Sequence, residues 1–97
     1  MGFVQIMEFT TGDVSGFRAL EQEFVTATEG KRTARRSVLA RDRANPDHYF
    51  ALVFFDSYES AMTNSNLPET QTIGAKMDSA VGGLTFHDFD VVSELDL

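Results

Sequence analysis

The chain has 97 residues, 42% of them hydrophobic and 24% charged, the balance of one globular domain spanning residues 1–97 around a single core. A net charge of −7 argues against nonspecific binding to nucleic acid, and the absence of cysteine removes disulfides, thiolate metal sites and a cysteine nucleophile. No apolar run approaches the roughly 18 residues of a membrane span, and Met1-Gly2-Phe3-Val4 lacks the basic start of a signal peptide, so a cytoplasmic protein is expected.

Residues 3–10, FVQIMEFT, form the first expected strand. Phe3, Gln5, Met7 and Phe9 fall on one face and Val4, Ile6 and Glu8 on the other. Both faces are largely apolar, which implies cover on both sides. Thr11-Gly12 makes a turn, and Asp13 or Ser15 can cap the helix that follows. Phe17, Leu20, Phe24 and Ala27 recur at helical spacing as one stripe, with Glu21 and Glu23 outside it, and Gly30 is placed to end the helix. Six of the eight basic residues (Lys31, Arg32, Arg35, Arg36, Arg41 and Arg43) then fall in one short stretch. Charge runs usually solvate a surface, here an edge strand; an anion-attracting rim is the second reading.

Residues 33–42 read as the second strand, with Val38 and Ala40 opposite Ser37, Leu39 and Arg41. After a turn at residues 43–47 comes the strongest strand signal, HYFALVFF at 48–55. Phe50, Leu52 and Phe54 share one face; Tyr49, Ala51, Val53 and Phe55 share the other. Asp56 followed by Glu59 is a variant capping box that starts a short helix. Pro68 stops that helix by forcing Leu67 out of the helical region and begins a new one, whose stripe is Ile73, Met77 and Val81. Gly82-Gly83 is expected to end it, and residues 84–92 form the last strand.

The order β-α-β-β-α-β is the split βαβ pattern of α+β ferredoxin-like folds: a four-stranded antiparallel sheet with helices on one face. The other face would then stand bare although its residues are apolar. Such a surface marks an interaction site, and a symmetric dimer placing sheet on sheet is the simplest solution.

The element order, and the passage running from Tyr49 through Phe54-Phe55 and Tyr58 to Asn64 and Pro68, resemble the dimeric α/β-barrel proteins related to antibiotic biosynthesis monooxygenases. The resemblance implies a homodimer whose sheets form a barrel, with a pocket in each subunit between sheet and helices. It also implies oxidation of electron-rich aromatics by molecular oxygen without cofactor or metal. Two departures stand out. Phe54-Phe55 stands where the family often has Trp, and Asn64 where it often has His. The lack of any Trp counts against the heme-degrading branch.

On this reading Asn64 orients a substrate oxygen, since its side chain both donates and accepts hydrogen bonds; the bland alternative is that Asn64 and Asn66 cap helix ends. His87 or Tyr58 would assist deprotonation, although a lone His without a carboxylate on its own face is more often solvent-facing or structural. Phe17, Phe24, Tyr49 and Phe54 would line the aromatic site, and the bland alternative for all four is core. Two histidines without recognisable spacing make no metal site. The expected function is a cofactor-independent monooxygenase-like protein that binds a small hydroxylated aromatic. The alternatives are a non-catalytic ligand-binding or structural homodimer, or an isomerase or cyclase on the same fold.

Overall fold

The computed structural model describes residues 2–97. Along the chain lie β1 (Phe3–Thr10), α1 (Ser15–Ala27), β2 (Arg36–Arg41), β3 (His48–Phe55), α2 (Tyr58–Ser65), α3 (Pro68–Ala80) and β4 (Gly82–Asp90). The strands form one antiparallel sheet in the order β2-β3-β1-β4. This is the expected ferredoxin-like arrangement, with its second helical segment divided in two.

Register decides which residues face the helices. Phe3 pairs with Phe55, Met7 with Ala51 and Phe9 with Tyr49, so the odd positions of β1 and β3 share one face. All the helices lie on that face. Phe9, Tyr49 and Ala51 form a buried cluster with Phe17 of α1 and with Ile73 and Met77 of α3. A second cluster at the other end of the same strands joins Phe3 and Phe55 to Ala61 of α2. The α1 stripe behaves as its spacing suggests, with Leu20, Phe24 and Ala27 packed against the first cluster around Phe17.

Several boundaries differ from those read off the sequence. The cap of α2 is Ser57, not Asp56: Ser57 Oγ accepts the backbone N–H of Ser60 at 3.0 Å. Asp56 is instead held by Arg35, whose Nη2 lies 2.7 Å from its Oδ2. Strand β2 begins at Arg36 because Thr33 spends its hydroxyl on the carbonyl of Ser60, at 2.6 Å, rather than joining the sheet. Gly82-Gly83 does not end α3 but opens β4, two residues before the expected start. Gly82 lies so close to Thr10 that a Cβ there would stand 2.9 Å from its hydroxyl, and Gly83 takes a φ of +60°, which favours glycine. Both devices accompany a register shift between Glu8 and Thr10 on β1.

Replacing Ser57 with Ala should cost about 1 kcal/mol, the usual value of a lost N-cap. In a domain of this size that lowers the melting temperature by roughly 4–8 °C. Asp56→Ala should cost less, because its ion pair with Arg35 is exposed. Thermal melts of the two variants test the assignment, and the reverse ranking would return the cap to Asp56.

Candidate functional site

The two core clusters do not meet completely. Between them a cleft of ≈ 1060 Å³ opens on the helical side of the sheet. Tyr49, Ile73 and Met77 line it from one cluster and Phe55 and Val53 from the other, with Gln5 and Met7 of β1 between. Phe24 and Leu39 add apolar wall.

The helix break places a polar group in this wall. Leu67 is extended (φ −63°, ψ 132°) because Pro68 follows it, and Pro68 occupies the first turn of α3. The chain therefore turns at Asn66-Leu67, and Asn64, in the last turn of α2, is directed inward and is 5% exposed. Its Oδ1 accepts the backbone N–H of Thr33 at 3.4 Å, a long bond to the segment after α1. The residue at the C-cap is Asn66, so Asn64 is not used as a helix cap. Among the described residues nothing accepts from the Asn64 amide nitrogen. The hydroxyl of Thr70, on the first turn of α3, also lines the cleft; it is buried and has no hydrogen-bond partner. An unpaired buried hydroxyl costs about 1–3 kcal/mol, so an apolar cleft holding one has a polar contact left to make.

Among the described residues, the carboxylate that lines the cleft is Glu21 of α1. Burial pushes its carboxyl above the ordinary carboxylate value, against the pull of Arg18. Glu21 lies outside the apolar stripe of α1, so its hydrophobic pattern suggested an outward-facing carboxylate. What brings it to the cleft is the packing of α1 over the sheet, for which periodicity carries no signal.

Of the residues expected in the site, Asn64, Phe24 and Tyr49 line the cleft. Phe17 is core, stacked on Phe9 with ring centroids 4.4 Å apart. Tyr58 is half exposed and packs edge-on against Phe3 at 5.6 Å. Phe54 and His87 lie on the opposite, helix-free face of the sheet, where the Arg36 guanidinium sits 5.6 Å over the Phe54 ring. His87 is therefore not brought together with Asn64. It does have a carboxylate on its own face: Glu8, on neighbouring β1, whose Oε1 lies 3.1 Å from His87 Nε2. The other oxygen of Glu8 lies 2.7 Å from His48 Nε2, and His48 Nδ1 faces Asp42 at 3.3 Å. Asp42, His48, Glu8 and His87 thus form a chain across the open face, next to Val4, Ile6, Phe50 and Leu52.

No protein-family model matches the sequence, and no curated protein matches it. Solved structures do match in shape. An asparagine-to-alanine variant of SnoaB, a cofactor-independent oxygenase from Streptomyces nogalater, is 15% identical with a TM-score of 0.79, over 97% of this chain and 96% of that one. Rv0793 from Mycobacterium tuberculosis is 15% identical with a TM-score of 0.76, over 99% and 100%. A candidate antibiotic biosynthesis monooxygenase from Chloroflexus aurantiacus is 20% identical with a TM-score of 0.72, over 99% and 98%. The chain has the ferredoxin-like fold of antibiotic biosynthesis monooxygenase-like proteins. Among the described residues, no helix is long and apolar enough to cross a membrane.

The chain of side chains on the open face predicts a pH dependence. Glu8, then Asp42, raises the pKa of His48, so its contribution to stability is complete below the ordinary value of 6.5 and is lost as pH rises through the raised folded value. Bonding to His48, then His87, lowers the pKa of Glu8, so its contribution is present above the ordinary value of 4.5 and is lost as pH falls through the lowered one. His48→Gln should therefore lower the melting temperature most between those two ordinary values, and the gap should close as pH rises through the raised folded value of His48. A gap that is constant from pH 5 to 9 would mean that His48 is not charged by its neighbours.

Proposed function

We propose that the chain is a homodimeric, cofactor-independent monooxygenase-like protein that binds a small hydroxylated aromatic in the cleft between sheet and helices. The observation that carries this reading is the buried, unpartnered hydroxyl of Thr70 in the same apolar cleft as the inward-turned Asn64. Phe24 and Tyr49 offer aromatic walls to a flat ring. Asn64 and Thr70 orient its oxygen. SnoaB, described as a cofactor-independent oxygenase, lends the reading support through its shared fold.

The chemistry asks little of the protein. An aromatic with an acidified ring CH₂ or hydroxyl loses a proton, and the resulting anion gives electrons to molecular oxygen. For a CH₂ centre the balance is one O₂ consumed, one C=O formed and one water released. The protein's task is to remove the proton and hold the anion. Glu21 is the base in this reading, because a carboxyl raised by burial accepts a proton more readily at neutral pH than an ordinary one. It takes the role first expected of His87 or Tyr58, which lie away from the cleft.

Oxygen uptake with hydroquinones and anthrones tests the proposal. Asn64→Ala should weaken binding or turnover by about tenfold, the effect of losing one or two buried hydrogen bonds, and Glu21→Gln should slow turnover by roughly a hundredfold or more while substrate still binds. If the parent takes up no oxygen and binds no aromatic, the enzymatic reading fails.

The homodimer is expected to use the helix-free face. Val4, Ile6, Phe50, Leu52 and Phe54 all point there and are only half buried in one chain. Light scattering at micromolar concentration should return twice the chain mass. Leu52→Asp should halve that mass while leaving the helical circular dichroism unchanged; a parent that is monomeric throughout would remove the dimer from the proposal.

A further inference from the structure

The basic residues are not spread as charges on a solvated surface usually are. Lys31, Arg35 and Lys76 have carboxylate partners in Glu69, Asp56 and Glu23. Among the described residues Arg18, Arg32, Arg36, Arg41 and Arg43 have none. Arg18, Arg32 and Arg41 border the cleft; Arg36 also touches its edge, but its guanidinium lies over Phe54 on the helix-free face, and Arg43 stands apart. The chain carries 15 acidic residues, yet only Glu21 lines the same cleft. A protein of net charge −7 has thus gathered unpaired arginines around one cavity.

Arg32 is the best prepared of them. Its Nη1 donates to the Val25 carbonyl at 3.0 Å and to the Thr28 hydroxyl at 3.2 Å. Thr28 is itself fully buried, and its hydroxyl donates to the Phe24 carbonyl at 2.6 Å. The guanidinium is therefore fixed by neutral acceptors, which hold its position without cancelling its charge. Its Nε and Nη2 remain free, and these are the donors with which a guanidinium grips a carboxylate in a two-pronged bond. Arg36 is occupied by the Phe54 ring, leaving Arg18 and Arg41 as the further cations.

We infer that the cleft takes an anionic ligand, a hydroxylated aromatic that also bears a carboxylate, with Arg32 as its anchor and Arg18 and Arg41 as supporting charges. This rests on the aromatic reading of the cleft and adds the ligand's charge to it. The apolar lining favours a carboxylate carried on a ring over a strongly hydrated free anion.

The test is calorimetry on the full chain under anaerobic conditions with two probes, 1,4-dihydroxy-2-naphthoate and uncharged 1,4-dihydroxynaphthalene. The carboxylate should bind at least about tenfold more tightly at low salt, the worth of one charge-assisted hydrogen bond, and the difference should shrink as salt is added. Arg32→Gln should remove the preference and leave the affinity for the uncharged probe intact, with Arg18→Gln giving a smaller loss. Arg43→Gln, the same charge change outside the cleft, should leave the preference unaltered. Equal binding of the two probes, or equal losses in Arg32→Gln and Arg43→Gln, would overturn the inference while the aromatic reading survives. Competition by millimolar inorganic phosphate as strong as by the naphthoate would overturn the carboxylate assignment in favour of a phosphoryl group. Binding of neither probe would overturn both readings together.

Discussion

The Phe9 ring is the contact from which the architecture is arranged. It stacks on Phe17 of α1 at 4.4 Å and on Tyr49 of β3 at 5.7 Å, so one side chain of the central strand ties a helix to the neighbouring strand. Each such aromatic pair contributes about 0.5–1.5 kcal/mol beyond the area it buries, and burying a Phe contributes about 1.5–3 kcal/mol. The exposed ion pairs between helices, such as Lys76 with Glu23, contribute at most about 1 kcal/mol each. Packing at Phe9 therefore sets where α1 lies, and the surface charges follow. At the far end of the same strands Phe3 does similar work, tilted against Phe55 and edge-on to Tyr58.

That division has a consequence for the cleft. The inward positions of β1 read Phe3, Gln5, Met7 and Phe9: large rings at both ends, a polar side chain and a flexible one between. The rings fasten the helices at two points, and the middle, facing Ala51 and Val53 across the register, is left underfilled. A cavity there is what remains when two aromatic clamps are set a strand's length apart. The break at Leu67-Pro68 then brings Asn64 and Thr70 to its wall.

Much of this was legible in the chain. Strands β1 and β3 matched their alternation to the residue, and Pro68 announced the split between α2 and α3 because its effect on the preceding residue is local. Other features depend on distant partners. Asp56 and Ser57 both suit a cap, and only the pull of Arg35 on Asp56 decides between them. Gly82-Gly83 reads as a helix stop until Thr10 is seen to lie against it. The sequence shows no carboxylate on the face of His87, because the cross-strand register that sets Glu8 beside it is invisible in one sequence. Glu21 reads as a residue outside the apolar stripe, and the basic run reads first as a solvated edge and second as an anion-attracting rim, since hydrophobic periodicity says which residues avoid water but not which polar ones meet over a cavity.

The sheet keeps two charge environments apart. On its bare face carboxylates and histidines satisfy one another in the run from Asp42 to His87, amid apolar side chains. On its helical face the exposed Arg18, Arg32 and Arg41 border the cleft without carboxylate partners within ion-pair distance. Glu21 reports on the interior of that cleft. Arginines alone would hold its carboxyl below the ordinary value, yet it is pushed above, so the loss of water at Glu21 outweighs the neighbouring positive charge. Partial loss of water strengthens a charged contact made beside Glu21. Partial desolvation readies Glu21 to accept a proton, while the exposed Arg32 at the rim offers its guanidinium to an incoming anion, and both border one underfilled space between the aromatic clamps.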